Sequence, residues 1–313
     1  MSASSPAQPA AALSGAIAAV VTAYHPDGRL TAVVSSALDS CFEVVVVDNT
    51  PGDGSPVAAA LAGPGVRVLR SGRNIGLAGA LNAGVRELSG TARAVLFLDQ
   101  DSILPGDTVA ALAAYLEQDP TIGIAAPTPW DAKSQSAYDN LAALRAPVAD
   151  RTDVITSGML VRRSCLDRVG DFREDFFVDF VDIDFCLRVR RTGLRIVQDQ
   201  RLKLPHSLGD RREHRLGPLR VQVVHYPAWR HYWIARGAST LLRENARRDA
   251  AWSVKAVLFL ASWTMRATLF EPARRTHVPA VLRGVRDGMF RRVATSYLPE
   301  GAAYRANVPN HGL

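Results

Sequence analysis

Apolar positions along the chain follow two alternating rhythms. AIAAVVTAY (16–24) and FEVVVVDN (42–49) are short, nearly continuous apolar runs, as expected of strands buried on both faces. VRVLR (66–70), ARAVLFLD (92–99) and TIGIAAP (121–127) supply three more. Helical patterns lie between them. They are RLTAVVSSALDS, PVAAALAG (56–63), GLAGALNAGVRELSG with Leu77, Ala80, Leu81, Gly84 and Val85 on one face, and a segment opened by Pro105 that runs to about Gln118. This alternation predicts an α/β domain around a mainly parallel, Rossmann-like sheet. Ligands of such sheets bind beyond the carboxyl ends of the strands, which brings the loops after Tyr24, Val47 and Leu98 to one crevice.

The pattern weakens from about 130 to 155. TDVITSGMLVRR (152–163) is strand-like, VDIDFCLRVRRTG (181–193) is an amphipathic helix, and LRIVQD (194–199) is a strand. Beyond 214 the period is helical, with segments near 226–247, 250–270 and 278–292. The opening MSASSPAQPAAALSG has no basic segment before its apolar residues and reads as a disordered tail, not a signal peptide. The expected organisation is a tail over 1–15, an α/β body over 16–212 and a helical region over 213–313.

Charge changes this picture. Residues 211–313 carry a net +12, while 1–210 carry −5. A basic, Trp-rich final third suggests an anionic partner surface. Its basic residues are interleaved with Trp and Leu, which suits a membrane leaflet better than nucleic acid. A solvated helical face is the plainer explanation. AWSVKAVLFLASWTMRATLF is cut by Lys255 and Arg266, so no stretch reaches the roughly 18 uncharged apolar residues of a membrane span. Cys41, Cys165 and Cys186 are odd in number and lack CxxC spacing, so they are expected to be buried thiols in a reducing compartment.

Five constellations carry candidate chemistry. Asp99 and Asp101, one residue apart at the end of the fourth strand, share a side of an extended segment. Two such carboxylates repel unless a cation intervenes, and oxygen donors suit Mg²⁺ or Mn²⁺. A helix-capping turn is the ordinary alternative. Asp48 ends the Val-rich strand in the same crevice, where it can accept hydrogen bonds from a base edge or a ribose. Asn49 beside it also suits a plain turn. RNIGLAGALNAG (73–84) sets Arg73 next to a helix N-terminus, a natural place for phosphate, although its small residues equally suit packing on the sheet. GxGxxG spacing is absent, which disfavours an NAD(P)-dependent oxidoreductase. FREDFFVDFVDIDFCLR (172–188) crowds Asp175, Asp179, Asp182 and Asp184 at a helix start, where a carboxylate is held as a usable base. Capping accounts for one such acid, not four. PHSLGD (205–210) adds His206, able to complete a metal site or contact a diphosphate.

Taken in order, VVTAYHPDG, VVVVDNTP, RNIGLAGALNAG, FLDQDS, TSGMLVRR, FFVDFVDIDFCLR and HSLGD resemble family-two glycosyltransferases of the GT-A fold. They are most similar to bacterial rhamnosyltransferases that use dTDP-L-rhamnose. The likeness spans about 17–210, and the last hundred residues match loosely. It implies that Thr22, Tyr24 and Asp48 line the nucleotide-base pocket, and that Arg73, Asn74, Gly76 and Asn82 flank the nucleotide and its phosphates. Asp99 would contact the ribose and metal region, Asp101 would hold the metal, and His206 would lie near the metal or diphosphate. Asp182 would be the catalytic base, with Asp184 and Asp179 as rivals. Many members carry Glu-Asp where this chain has Val181-Asp182.

The implied activity is inverting, metal-dependent transfer of L-rhamnose to a hydroxyl of a lipid-linked glycan in surface polysaccharide synthesis. The same chemistry with a UDP-hexose or UDP-galactofuranose donor is one alternative, and a non-catalytic nucleotide- or glycan-binding module is another. The final third is expected to hold the enzyme at the inner, cytoplasmic face of an anionic membrane. A dimer interface or a helical cap on the sheet are its competing uses.

Overall fold

Val44 to Val47 are fully enclosed because helices cover both faces of the strand that carries them, the arrangement their unbroken apolar run calls for. The structure, a computed structural model, describes residues 13, 15–131, 136–137, 146–205, 210–216, 219–271 and 273–304. In chain order the elements begin β1 (Ile17–Ala23), α1 (Arg29–Leu38), β2 (Glu43–Asp48), α2 (Pro56–Ala59), β3 (Val66–Arg70), α3 (Gly76–Glu87), β4 (Ala94–Asp99), α4 (Thr108–Gln118) and β5 (Ile122–Asp131). β6 (Ser136–Ala137), β7 (Val148–Asp150), β8 (Leu160–Arg162), α5 (Arg163–Val169), α6 (Val181–Arg191) and β9 (Arg195–Pro205) complete the body. A hairpin of β10 (Asp210–Leu216) and β11 (Leu219–His225) leads to α7 (Ala228–Asn245), α8 (Ala250–Leu269) and α9 (Arg274–Met289).

The main sheet runs β3-β2-β1-β4-β8-β5-β9-β7, with β6 on β5. β1 to β4 pair in parallel, as do β5 and β9, so the α/β expectation holds. β8 is the insertion the alternating pattern did not show: it runs antiparallel between β4 and β5. The strand expected over 152–163 shortens to 160–162, because Gly158 turns the chain at φ +83°. A Cβ there would meet the Pro127 ring at 2.7 Å, so the turn has room for glycine alone.

Other boundaries move for local reasons. α4 begins at Thr108, so Pro105 lies in the approach and not at the first helical position. Residues 210–225 form a hairpin where a helical period was expected, and the hairpin straddles the 212/213 boundary. Leu13, within the expected tail, is 3% exposed, and its N–H bonds Glu117 of α4. The rest of 1–14 lies outside the described residues. The three cysteines are buried free thiols, as expected.

α7 is the pillar of the final third, and α9 lies along it at unusually close range. Built Cβ atoms at Gly284 and Gly288 would stand 2.4 Å from the Tyr232 and Arg236 carbonyl oxygens. Tyr232 of α7 in turn donates to the buried Asp287 of α9 at 3.1 Å. α8 is different: its buried residues are Ala256 and Ala267 alone. Among the described residues, no helix is long and apolar enough to cross a membrane.

Gly288→Val should therefore force α9 away from α7 and cost about 1–3 kcal/mol, visible as a fall of several degrees in Tm. An unchanged Tm would show that the two backbones are not in contact there.

Candidate active site

Register alone assembles the crevice. Thr22 of β1 sits beside Asp99 of β4, and Ala23 sits beside Asp48 of β2, so both strand-end acids border the mouth of β1. The Asp99 N–H donates to Ser157 Oγ at 3.1 Å, and the Gly158 N–H donates to the Phe97 carbonyl at 2.8 Å. The TSG turn before β8 thus sets the direction in which β4 ends. Asp101 lies just beyond, its side chain 20% exposed and 3.6 Å from Arg29 of α1, a loose ion pair.

Asp48 faces inward. Its Oδ1 accepts from Thr50 N–H at 3.0 Å and its Oδ2 from Ser55 N–H at 2.5 Å, which pins the loop after β2. Tyr24 is exposed, with its N–H on Gln100 Oε1 at 2.6 Å. The RNIG segment is held by two amides. Asn49 Nδ2 donates to Asn74 Oδ1 at 2.9 Å and to the Gly76 carbonyl at 3.1 Å, and its Oδ1 accepts from Ile75 N–H at 2.9 Å. Asn49 is therefore a clamp between two loops, not only a turn residue.

Several expected nucleotide contacts turn out to do other work. The first N–H groups of α3 are taken: Gly76 donates to Asn74 Oδ1 at 2.9 Å and Leu77 to the Phe177 carbonyl at 2.7 Å. Gly76 has φ +79°, and a Cβ there would lie 2.5 Å from that carbonyl. Two of the four N–H groups at this helix end are thus bonded within the protein. Asn82 is buried in the second turn of α3, where it bonds both the N–H and the carbonyl of Phe172 at 2.8 Å. Arg73 is exposed and borders a separate cavity of about 270 Å³ with Arg70, Arg86, Glu174 and Tyr304. His206 lies outside the described residues.

The four aspartates of 172–188 split into three kinds. Asp175 and Asp184 are buried and satisfied by arginine. Arg173 forks onto both oxygens of Asp175 at 2.9 and 3.0 Å and reaches Asp184 at 3.2 Å, and Arg188 bonds Asp184 at 2.8 Å. Asp179 is gripped by a two-point contact from Arg230 of α7, at 3.0 and 3.1 Å. Asp182 has no such cation. Its Oδ1 accepts the Ile183 N–H at 2.8 Å, and its carboxyl is pushed up to about 7, first by burial and then by the negative charge of Asp153 and Asp179. Phe180, at the mouth of α6, has φ +69°, a strained value for an aromatic residue, and it orients this turn.

Asp182 lies on the wall of a cavity of about 680 Å³, shared with Asp179, Lys255, Phe259, Trp263 and Arg266. Arg230 links the two acidic groups, since it binds Asp179 and also feels the charge of Asp99. Sequence reasoning missed Arg230 and Asp153. Each is distant in the chain from the motif it serves, and the Thr-Asp before VITSGM was the one local hint.

Comparison with known proteins agrees with this geometry. The sequence model of glycosyl transferase family 2 matches residues 18–168. A dTDP-rhamnosyl transferase of Shigella flexneri, RfbF, is 27% identical over 290 residues, spanning 86% of this chain and 95% of that protein. The mannosyltransferase PcManGT of Pyrobaculum calidifontis, solved with GDP-Man and Mn²⁺, has a similar fold over 91% of this chain and 92% of its own, with a TM-score of 0.53 at 17% identity. TarS of S. aureus matches over 91% of this chain and 49% of its own, with a TM-score of 0.53 at 15% identity. The chain thus has a fold of GT-A type, matches the glycosyl transferase family 2 model over residues 18–168, and resembles a bacterial rhamnosyltransferase along most of its length.

Proposed function

We propose that the chain transfers L-rhamnose from dTDP-L-rhamnose to a hydroxyl of a glycan acceptor, with inversion at the anomeric carbon. The supporting observation is Asp182: a carboxyl pushed up to about 7, first by burial, on the wall of a cavity of about 680 Å³. The donor follows from the likeness to RfbF. The body over 16–212 would bind the donor, and the region over 213–313 would close the acceptor side.

Asp182 would take the proton from the acceptor hydroxyl, whose oxygen bonds the anomeric carbon as the carbon–phosphate oxygen bond breaks and dTDP departs. A base titrating near the working pH combines availability with driving force. Asp184 is a poor rival, since Arg173 and Arg188 occupy its two oxygens at 3.2 and 2.8 Å, and Asp179 is spent on Arg230. Asp99 and Asp101 offer oxygen donors alone, which fits Mg²⁺ or Mn²⁺, and the fold neighbour PcManGT was solved with Mn²⁺. Such an ion would supply positive charge against the departing diphosphate. Thr22, Tyr24 and Asp48 would border the base, Arg73, Asn74, Gly76 and Asn82 would flank the nucleotide and its phosphates, and His206 would serve the metal or diphosphate.

α8 gives the acceptor side its character. Val254, Val257, Leu258 and Met265 are each more than half exposed, and Lys255 and Arg266 flank them. A helix of this kind suits an anionic membrane interface and would bring Asp182 to a lipid-linked glycan at the inner, cytoplasmic face. A homodimer through the same face is the competing use.

Three outcomes test these assignments. Asp182→Asn should lower transfer by at least about a thousandfold with donor affinity kept, and should not lower Tm at pH 8, because it removes a carboxylate whose ionisation burial opposes. Asp184→Asn should instead lower Tm by many degrees, because it strands two buried guanidinium groups at a cost of about 3–5 kcal/mol. Near-normal turnover in Asp182→Asn would move the base elsewhere. The rate should also rise with pH through about 7 as Asp182 loses its proton, and a flat profile from 5 to 9 would oppose the assignment.

Donor choice is read from transfer across dTDP-rhamnose and UDP-sugars with Mn²⁺. Rhamnose should be moved, and Asp101→Ala should abolish the metal requirement and the activity together. Transfer of another sugar alone would replace the donor, and binding without turnover would point to a binding module. Finally, vesicles rich in anionic lipid should sediment the chain, and Leu258→Glu with Met265→Glu should release it. Unchanged sedimentation, or a dimer lost in that variant, would favour the other uses of α8.

A further inference from the structure

The mechanism leaves one group of titratable side chains unused, at the junction of the final third. Glu271 follows the end of α8, and three imidazoles surround its carboxylate. His231, in the first turn of α7, places Nε2 3.2 Å from Oε1. His225, ending β11, places Nδ1 3.0 Å from Oε2, and His277, in the first turn of α9, places Nε2 3.9 Å from the same oxygen. The His231 and Glu271 side chains are each 4% exposed, and that of His277 is 12% exposed. Ligand atoms of His231, Glu271 and His277 all lie within 4.8 Å of one another.

Hydrogen bonding alone does not satisfy this cluster. His277 Nδ1 faces the Ala273 carbonyl at 2.8 Å, and Nε2 faces the Tyr226 carbonyl at 3.1 Å as well as Glu271. These oxygens only accept, and a neutral imidazole has one N–H to give. If Nδ1 donates to Ala273, the Nε2 lone pair points at oxygen lone pairs unless a cation stands between. That cation is either a proton or a metal ion. His231 raises the same difficulty from the other side: its Nδ1 is buried and finds no hydrogen-bond partner among the described residues.

The geometry favours the metal. Bonds of about 2.0–2.2 Å to tetrahedrally arranged N and O donors put those donors roughly 3.3 Å apart; His231 Nε2 lies 3.2 Å from Glu271 Oε1, His277 Nε2 lies 3.9 Å from Oε2, and the three ligand atoms lie within 4.8 Å of one another, so a small inward shift of the rings completes the set. The Nδ1–H of His277 on a backbone carbonyl is the outer-shell contact that fixes a ligating imidazole. His225 is similarly braced, its Nε2 2.8 Å from His214 Nε2.

We propose that His231, Glu271 and His277, braced by His225, form a binding site for a borderline divalent ion such as Zn²⁺, separate from the oxygen-donor site at Asp99 and Asp101. Mixed imidazole and carboxylate donors select Zn²⁺ over Mg²⁺ or Ca²⁺. Its place in the fold defines its role. The site joins β11, α7, the end of α8 and the start of α9, and α8 otherwise buries two alanines. An ion there fastens α8 against the wall of the cavity that Asp182 shares with His231 and Glu271.

The test uses the full-length chain, stripped of metal and titrated with Zn²⁺ alone, in an Asp101→Ala background that removes the other site. About one equivalent should bind and raise Tm by about 3 °C or more, while Mg²⁺ does neither. Adding His231→Asn and His277→Asn should weaken binding by at least about a hundredfold and abolish the Tm shift. If that triple variant does not fold, Co²⁺ bound to the Asp101→Ala chain should show the intense visible absorption of tetrahedral coordination. Absence of that absorption, Zn²⁺ binding indifferent to the two histidines, or stability that responds to pH but not to Zn²⁺ would each overturn the site, the last by assigning the cation as a proton.

Discussion

Arg173 holds this molecule together at the point where its function is decided. Its guanidinium forks onto Asp175, reaches Asp184 in the first turn of α6, and bonds Glu244 of α7 at 2.6 Å. One side chain thereby joins the loop before α6, the helix itself and the first helix of the final third. Such a buried network adds little net stability over a well-packed apolar one, yet loss of one member strands the others. Its value is positional, because it fixes the angle at which α6 presents its mouth to the cleft.

That fixed mouth explains how four neighbouring carboxylates divide their roles. Asp175 and Asp184 are tied to arginine, Asp179 is tied to Arg230, and Asp182 alone meets a cavity without a cation of its own. Loss of water and then repulsion from Asp153 and Asp179 raise its proton affinity, so the neighbours that serve the fold also tune this carboxyl. Arg230 makes the same economy across the cleft, neutralising Asp179 while lying within the field of Asp99. The strained Phe180 at the helix entrance belongs to this arrangement, since the surrounding contacts over-determine its backbone.

The final third joins the body through polar contacts and joins itself through close backbone packing. Arg236 of α7 bonds the Asp175 carbonyl at 2.7 Å and the Arg292 carbonyl at 2.8 Å, and the glycines of α9 let it lie against α7. α8 gains little from either device and keeps its apolar side outward. The helix with the least packing is thus also the one that walls the cavity beside Asp182 and ends at the histidine cluster.

Much of this was legible in the sequence, for a simple reason. Buried strands require unbroken Val, Ile and Leu, and strand-end acids in a parallel sheet converge because the sheet has one carboxyl edge. Those rules placed β1 to β5, and they brought Asp48, Asp99 and Asp101 to one crevice. The helix start gave four candidate aspartates, and only the family resemblance put Asp182 ahead of Asp179 and Asp184. What the rules did not decide was where each polar side chain turns. Asn82 and Asp48 bond backbone inside the fold, the Leu77 N–H of α3 bonds the Phe177 carbonyl, and β8 reverses direction at Gly158. Arg173, Arg230 and the histidines around Glu271 find their partners up to 71 residues away. Periodicity is a property of neighbours along the chain, and so the sequence determines elements and their buried faces. A hydrogen bond or ion pair depends on distance and angle in three dimensions, so the roles of the polar residues were settled by the tertiary structure alone.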